Sequence, residues 1–191
     1  MKARILCSVL ALTLVALSAS LATAQQTVQA DREPKTKLEG FQAQTGTIVI
    51  KGYSEIGMVA ALGRVEVTAM EFTDATTRRK QSGVLIEVKE SGRLETSNRS
   101  FIDYDEVDAL LTGLDYISKA TTGVTKLGMF EATYKTKGYF SATTYSSKGG
   151  KIEAAVSSGY IRASSVFLSL QQLGELRTLI AQAKQKLDSV K

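Results

Sequence analysis

The sequence predicts an α+β fold in which one strands-then-helix unit is used twice, and three observations point there. Two helix entrances sixty-six positions apart align without a gap: Ile102-Asp103-Tyr104-Asp105-Glu106-Val107 on Leu168-Ser169-Leu170-Gln171-Gln172-Leu173. Each entrance follows segments whose apolar residues recur every second position, the period of a half-buried strand. Each is followed by an apolar stripe at three-four spacing, the period of an amphipathic helix. The expected architecture is therefore βββ(β)α twice, with antiparallel sheets, two packed amphipathic helices and a pseudo-two-fold relation between the halves.

Residues 1–24 read as a secretory signal peptide. Lys2 and Arg4 form a basic start, residues 5–19 are apolar, and Ala22-Thr23-Ala24 is a small-x-small cleavage site before Gln25. The apolar run is shorter than the roughly 20 residues a membrane span needs. The mature protein is thus expected in the periplasm or secreted, with no transmembrane segment. Cys7, the sole cysteine, leaves with the signal, so the exported domain must be held by its core alone. Cleavage removes two positive charges and no negative ones, lowering the formal charge from +5 to +3. Such a mild excess favours solubility and is far from a nucleic-acid footprint.

Residues 25–40 are polar and hold the only proline, Pro34, which predicts a flexible tether before a single duplicated domain over 41–191. A first strand is expected over 45–53 and a loop over 54–63, where two glycines interrupt any period. The first copy occupies about 45–119. Its Val65, Val67 and Ala69 alternate with polar neighbours, residues 73–81 form a charged turn, and Val84, Ile86 and Val88 return. A further strand from Arg93 leads to the entrance at Asp103. The helix behind it carries Val107, Leu110, Leu114 and Ile117 on one face.

The second copy spans about 127–188. Phe140, Ala142 and Thr144 face one way, Lys148-Gly149-Gly150 turns the chain, and Ile152, Ala154 and Val156 form the next inward row. Ser158-Gly159 turns again into Ile161 and Ala163. Leu173, Leu176, Ile180, Ala183 and Leu187 line the last helix. At both entrances the spacing is that of a capping box, Asp103 with Glu106 and Ser169 with Gln172, flanked by the apolar staple pairs Ile102/Val107 and Leu168/Leu173. A lone unit would leave a sheet face and a helix stripe half covered, whereas two can bury them against each other. In layout, the doubled unit resembles the Whirly and Pur-type single-stranded nucleic-acid folds. That resemblance implies single-stranded nucleic-acid binding as one alternative function.

The chemistry is defined mostly by what is missing. No histidine occurs and no cysteine follows the signal, which removes Ser-His-acid triads, cysteine nucleophiles and thiolate or imidazole metal sites. There is no S-x-x-K, P-loop or G-x-G-x-x-G, so no cofactor is expected. The densest acidic run, Asp103, Asp105, Glu106 and Asp108, fits a helix first turn, where carboxylates satisfy free N–H groups. It fails the EF-hand pattern, because its sixth position is Asp108 where glycine is needed. It nevertheless supplies the candidates for a second alternative, a hydrolase or lyase using carboxylates and tyrosine.

Arg78-Arg79-Lys80 reads as a solvated turn, and Asn98-Arg99-Ser100 fits a glycosylation sequon to which no function is assigned. If Phe140, Ile152 and Ile161 point inward, alternation sends Tyr139, Ser141, Thr143, Tyr145, Lys151, Tyr160 and Arg162 outward together. Tyrosines offer flat apolar area with a polar tip. Tyr139, Thr143, Tyr145, Tyr160 and Arg162 are therefore the expected face for an envelope protein or a glycan. The leading expectation is an exported, non-catalytic binding or support protein.

Overall fold

A computed structural model describes residues 33–92 and 95–190. A short helix α1 (Lys37–Gln42) precedes four strands, β1 (Val49–Ala61), β2 (Gly63–Asp74), β3 (Lys80–Glu90) and β4 (Thr96–Asp103). A 3₁₀ turn at Tyr104–Glu106 leads into α2 (Val107–Ser118). Four more strands follow, β5 (Glu131–Lys135), β6 (Phe140–Ser146), β7 (Ile152–Ser158) and β8 (Ser164–Leu168), and then α3 (Leu170–Asp188). The strands form two antiparallel four-stranded sheets, ordered β1-β2-β3-β4 and β5-β6-β7-β8, so the class is α+β.

The period-two rows decide which faces meet. Val65, Val67, Val84, Ile86, Val88 and Ile102 of the first sheet join Phe140, Ala142, Ala154, Val156, Val166 and Leu168 of the second in one buried cluster. The helix stripes, Val107-Leu110-Leu114-Ile117 and Leu173-Leu176-Ile180-Ala183-Leu187, fill the same cluster. Burial of each large aliphatic side chain contributes about 1.5–3 kcal/mol, so this shared interior is the main stabilising element. The helices pack on each other; α3 also lies on β1 and β2, while α2 lies on β5 and β6. Where the sheets abut, the Ser100 and Ser158 hydroxyls are 2.7 Å apart and Asn98 Nδ2 donates to Ser164 Oγ at 2.9 Å. These bonds satisfy polar groups the contact would otherwise bury unpaired.

Three sequence expectations are corrected. The segment 54–63 is not a loop: β1 runs on to Ala61 and pairs with β2 along its whole length. A bulge between Glu55 and Gly57 shifts the register, so residues before and after it obey opposite parity and no single period shows. The polar stretch to residue 40 is not all tether. Thr36 Oγ1 accepts from Glu39 N at 3.0 Å and Glu39 Oε2 accepts from Thr36 N at 3.1 Å, a capping box that starts α1. Leu38, at 0% exposure, and Phe41 then pack on Met70 and Phe72 as a second small core. Finally, β8 starts at Ser164, and Ile161 is exposed in the loop before it. Gly159 and Arg162 both have positive φ there, which breaks the alternation that would have turned Ile161 inward.

Candidate functional site

The first sheet has a second face, and α1 covers only part of it. On β2 and β3 the residues between the core positions, Glu66, Thr68, Leu85, Glu87 and Lys89, point away from the main core. Lys51, Tyr53 and Glu55 of β1 share that face through their pairing with Phe72, Met70 and Thr68, and the bulge brings Met58 onto it opposite Glu66. Leu38 and Phe41 of α1 close one end over Phe72, with Leu85 and Phe101 at the margin. Beyond the helix the face stays open as a concavity of about 690 Å³ whose floor includes Tyr53, Met58, Thr68, Leu85 and Arg99. Tyr53 is 68% exposed and Met58 60%, and both lie on this one concave face.

Five ionic groups of this face, Arg64, Glu66, Glu87, Lys89 and Arg99, are matched to one another. Glu66 and Glu87 sit directly opposite across β2 and β3, a repulsive arrangement if left alone. Lys89 Nζ donates to both Glu66 oxygens, at 2.9 and 3.0 Å, and lies 3.5 Å from Glu87. Arg64 Nε donates to Glu66 at 2.7 Å, Arg99 Nε to Glu87 at 3.0 Å, and Ser97 Oγ to Glu87 at 2.6 Å. Hydrogen bonds from Lys89 and Arg64 hold the Glu66 carboxyl below its usual range. Burial pushes Glu87 upward, but the Ser97 and Arg99 hydrogen bonds outweigh it and the net shift is also downward. Both carboxylates are thus ionised at neutral pH. A general acid needs one carboxyl held protonated, and this pair supplies none.

The acidic run at the first helix entrance is divided among three places: Asp103 and Asp105 both bind the start of α1, Glu106 binds Lys137 and Asp108 binds Lys184. Asp103, only 2% exposed, does not cap its own turn: its carboxylate accepts from Lys37 N at 2.8 Å and Leu38 N at 3.1 Å, the free N–H groups at the start of α1. This corrects the expected Asp103/Glu106 capping box. The 3₁₀ turn delays the helix to Val107, and the Asp103 oxygens are already engaged elsewhere. Asp105 pairs with Lys37 Nζ at 2.7 Å, Glu106 Oε1 accepts from Lys137 N at 2.9 Å, and Asp108 pairs with Lys184. Asp103 and Asp105 are occupied by the start of α1, and Glu106 and Asp108 point to other segments, so the four carboxylates share no open point. Among the described residues no group of three or more Asp or Glu side chains is placed to hold a metal. At the second entrance, Ser169 Oγ accepts from Gln172 N at 3.1 Å and Gln172 Oε1 from Ser169 N at 2.8 Å, a complete capping box.

The tyrosine row of the second sheet divides into two ends. Tyr139 and Tyr160 meet at one, with ring centroids 4.9 Å apart. Tyr139 and the nearby Arg162 adopt left-handed backbone, at φ 64° and 54°, which is strained for side chains of this size. Tyr145 lies six residues along β6, about 20 Å away at strand rise, between Glu131 and Glu153 on the neighbouring strands. Burial and the Glu153 carboxylate push its hydroxyl pKa up. Between the ends, Thr143 Oγ1 is 2.9 Å from Thr133 Oγ1 and Ser141 Oγ 2.7 Å from Ser157 Oγ. The same face carries Phe167, which is exposed; Phe101, aligned with it at the sixty-six-residue offset, is partly covered beside α1.

Sequence reasoning missed Tyr53, Met58 and Arg99 as surface partners, because the loop expected over 54–63 hid the edge strand that completes the concavity. Among the described residues no helix is long and apolar enough to cross a membrane. Comparison with protein-family models, with curated proteins and with solved structures returns no match.

Proposed function

We propose that this chain is an exported, non-catalytic protein that binds another envelope protein through the open concavity of its first sheet. One observation carries the reading: a concave strand face that keeps Tyr53 and Met58 exposed while pairing its two innermost carboxylates, Glu66 and Glu87, with its own cations. Tyrosine, methionine and arginine are the residues enriched where protein surfaces meet. The paired Glu66 and Glu87 also weigh against the nucleic-acid alternative, since a phosphate backbone would face carboxylates whose cations are already engaged. The dispersed Asp103, Asp105 and Asp108 leave the carboxylate-hydrolase alternative without a convergent site. Export rests on the basic start, apolar run and Ala22-Thr23-Ala24 of residues 1–24, which lie outside the described residues. N-terminal sequencing of the protein from its producing cell should begin at Gln25.

The two ββββα halves are read as products of an internal duplication. Supporting this, the helix of each half packs on the first two strands of the other, and Asn98 bonds Ser164, its own counterpart at the sixty-six-residue offset.

The binding reading is tested by placing a photo-crosslinking residue at Tyr53, Met58, Tyr145 or Tyr160 in the producing cell. Adducts at Met58 and Tyr53 to one discrete protein other than a second copy of this chain, with none at Tyr145 or Tyr160, support it. Adducts at Tyr145 or Tyr160 alone would move the surface to the second sheet, glycan adducts would change the ligand class, and none anywhere would end the reading.

A further inference from the structure

We propose that the free edge of β1 pairs with the same edge of a second copy, antiparallel and centred on Tyr53. The strand ends its sheet, so half of its backbone groups have no ladder partner in β2. Ile48 C=O accepts from Ala75 N at 2.9 Å, which fixes the parity. Ile50, Gly52 and Ser54 turn their N–H and C=O groups toward β2, and Val49, Lys51, Tyr53 and Glu55 turn theirs outward. The far end of the edge is already closed: the bulge follows Glu55, and Ala60 C=O accepts from Gln172 Nε2 of α3 at 2.7 Å. The open stretch is therefore residues 49–55.

Charge decides which partner fits it. Arg64, Glu66, Glu87, Lys89 and Arg99 on this face are all ion-paired, whereas Lys51 and Glu55 have no ion pair among the described residues. The Lys51 ammonium rests only over the Phe72 ring, 5.3 Å from its centroid. Four positions apart on an extended strand, Lys51 and Glu55 are about 13 Å from each other and cannot pair within one chain. Antiparallel pairing about Tyr53 places Lys51 of each copy opposite Glu55 of the other, the isologous match a two-fold axis requires. Tyr53 then stands beside Tyr53, and about six backbone hydrogen bonds form across the residues 51–55 of the two strands.

Neighbouring registers lose this match. Centring on Lys51 opposes two ammonium groups, centring on Gly52 sets Lys51 against Tyr53 and Glu55 against Val49, and centring on Glu55 opposes two carboxylates beside the bulge. A lone lysine and a bulge commonly protect an edge from pairing; here the lysine has a complementary acid at the one distance that suits a second copy. Because such an axis stands perpendicular to the sheet, the open faces of both copies lie on the same side. Two four-stranded floors become one of eight strands, whatever ligand they take.

Sedimentation velocity across a concentration series tests this on the purified protein, with circular dichroism verifying the fold of each variant. The wild type is expected to be a dimer. Lys51→Glu and Glu55→Lys each replace two attractive pairs with two repulsive ones and should weaken it by about tenfold or more. The double exchange Lys51→Glu/Glu55→Lys restores complementarity and should return the dimer. A wild type that stays monomeric, a dimer indifferent to the single substitutions, or a double variant no tighter than the singles would each overturn the proposal.

Discussion

Replacing Asp103 with alanine should release α1 rather than fray the helix that follows Asp103 in sequence. Asp103 is 2% exposed, and its carboxylate accepts the Lys37 and Leu38 N–H groups at 2.8 and 3.1 Å. A hydrogen bond to a charged acceptor contributes about 1.5–3 kcal/mol, and leaving a buried N–H unpaired costs about 1–3 kcal/mol. These contributions overlap, so the expected loss is about 2–4 kcal/mol, against about 1 kcal/mol for an ordinary exposed cap. In a domain of this size that corresponds to a melting temperature lowered by about 5–15 °C. Equilibrium denaturation reads the magnitude and amide hydrogen exchange reads the place. Protection should fall across Lys37–Gln42, while α2, which has no side-chain cap bond to lose, keeps its own. A loss near 1 kcal/mol with unchanged exchange in α1 would mean instead that Asp103 serves only the turn it sits in.

Other outcomes follow from the same contacts. Glu66 and Glu87 both have folded-state pKa values below the ordinary carboxyl range, so their contribution is complete above about pH 4.3 and is lost as pH falls through the folded values. Acid denaturation of Glu66→Gln/Glu87→Gln should therefore show a shallower decline below that pH than the wild type. Gly113→Ala would ordinarily stabilise a helix by about 1 kcal/mol, but its Cβ would meet the Tyr134 ring, so a loss of about 1–3 kcal/mol is expected by denaturant titration. Asp105→Ala breaks an ion pair whose partners are both more than half exposed and should change stability by less than about 1 kcal/mol in the same assay.

Much of the architecture was legible in the chain because each core-facing row keeps one parity. Val65-Val67-Ala69, Val84-Ile86-Val88 and Phe140-Ala142-Thr144 are buried along their lengths, and both helix stripes are. What escaped detection lies where parity breaks or where a partner is remote. The β1 bulge inverts inside and outside halfway along the strand, so Gly57 and Gly63 read as loop signals. The Thr36-x-x-Glu39 box and the apolar pair Leu38 and Phe41 were visible signs of α1, masked by the polar company around them. No local pattern could show that Asp103 serves a helix sixty-six residues earlier, nor that Tyr53, Met58 and Arg99 share a floor, since strand pairing alone unites them.

Hydroxyl-radical footprinting, with and without the solubilised envelope of the producing cell, tests the binding surface most directly. Met58 and Tyr53 are reactive side chains and both are exposed in the free protein; Met58 also lies outside the stretch assigned to self-pairing, so its protection reports a ligand rather than a second copy. Envelope material is expected to slow oxidation of Met58 and Tyr53 and to leave Tyr145 and Tyr160 unchanged. Protection of Tyr145 and Tyr160 with Met58 still reacting freely would contradict this expectation.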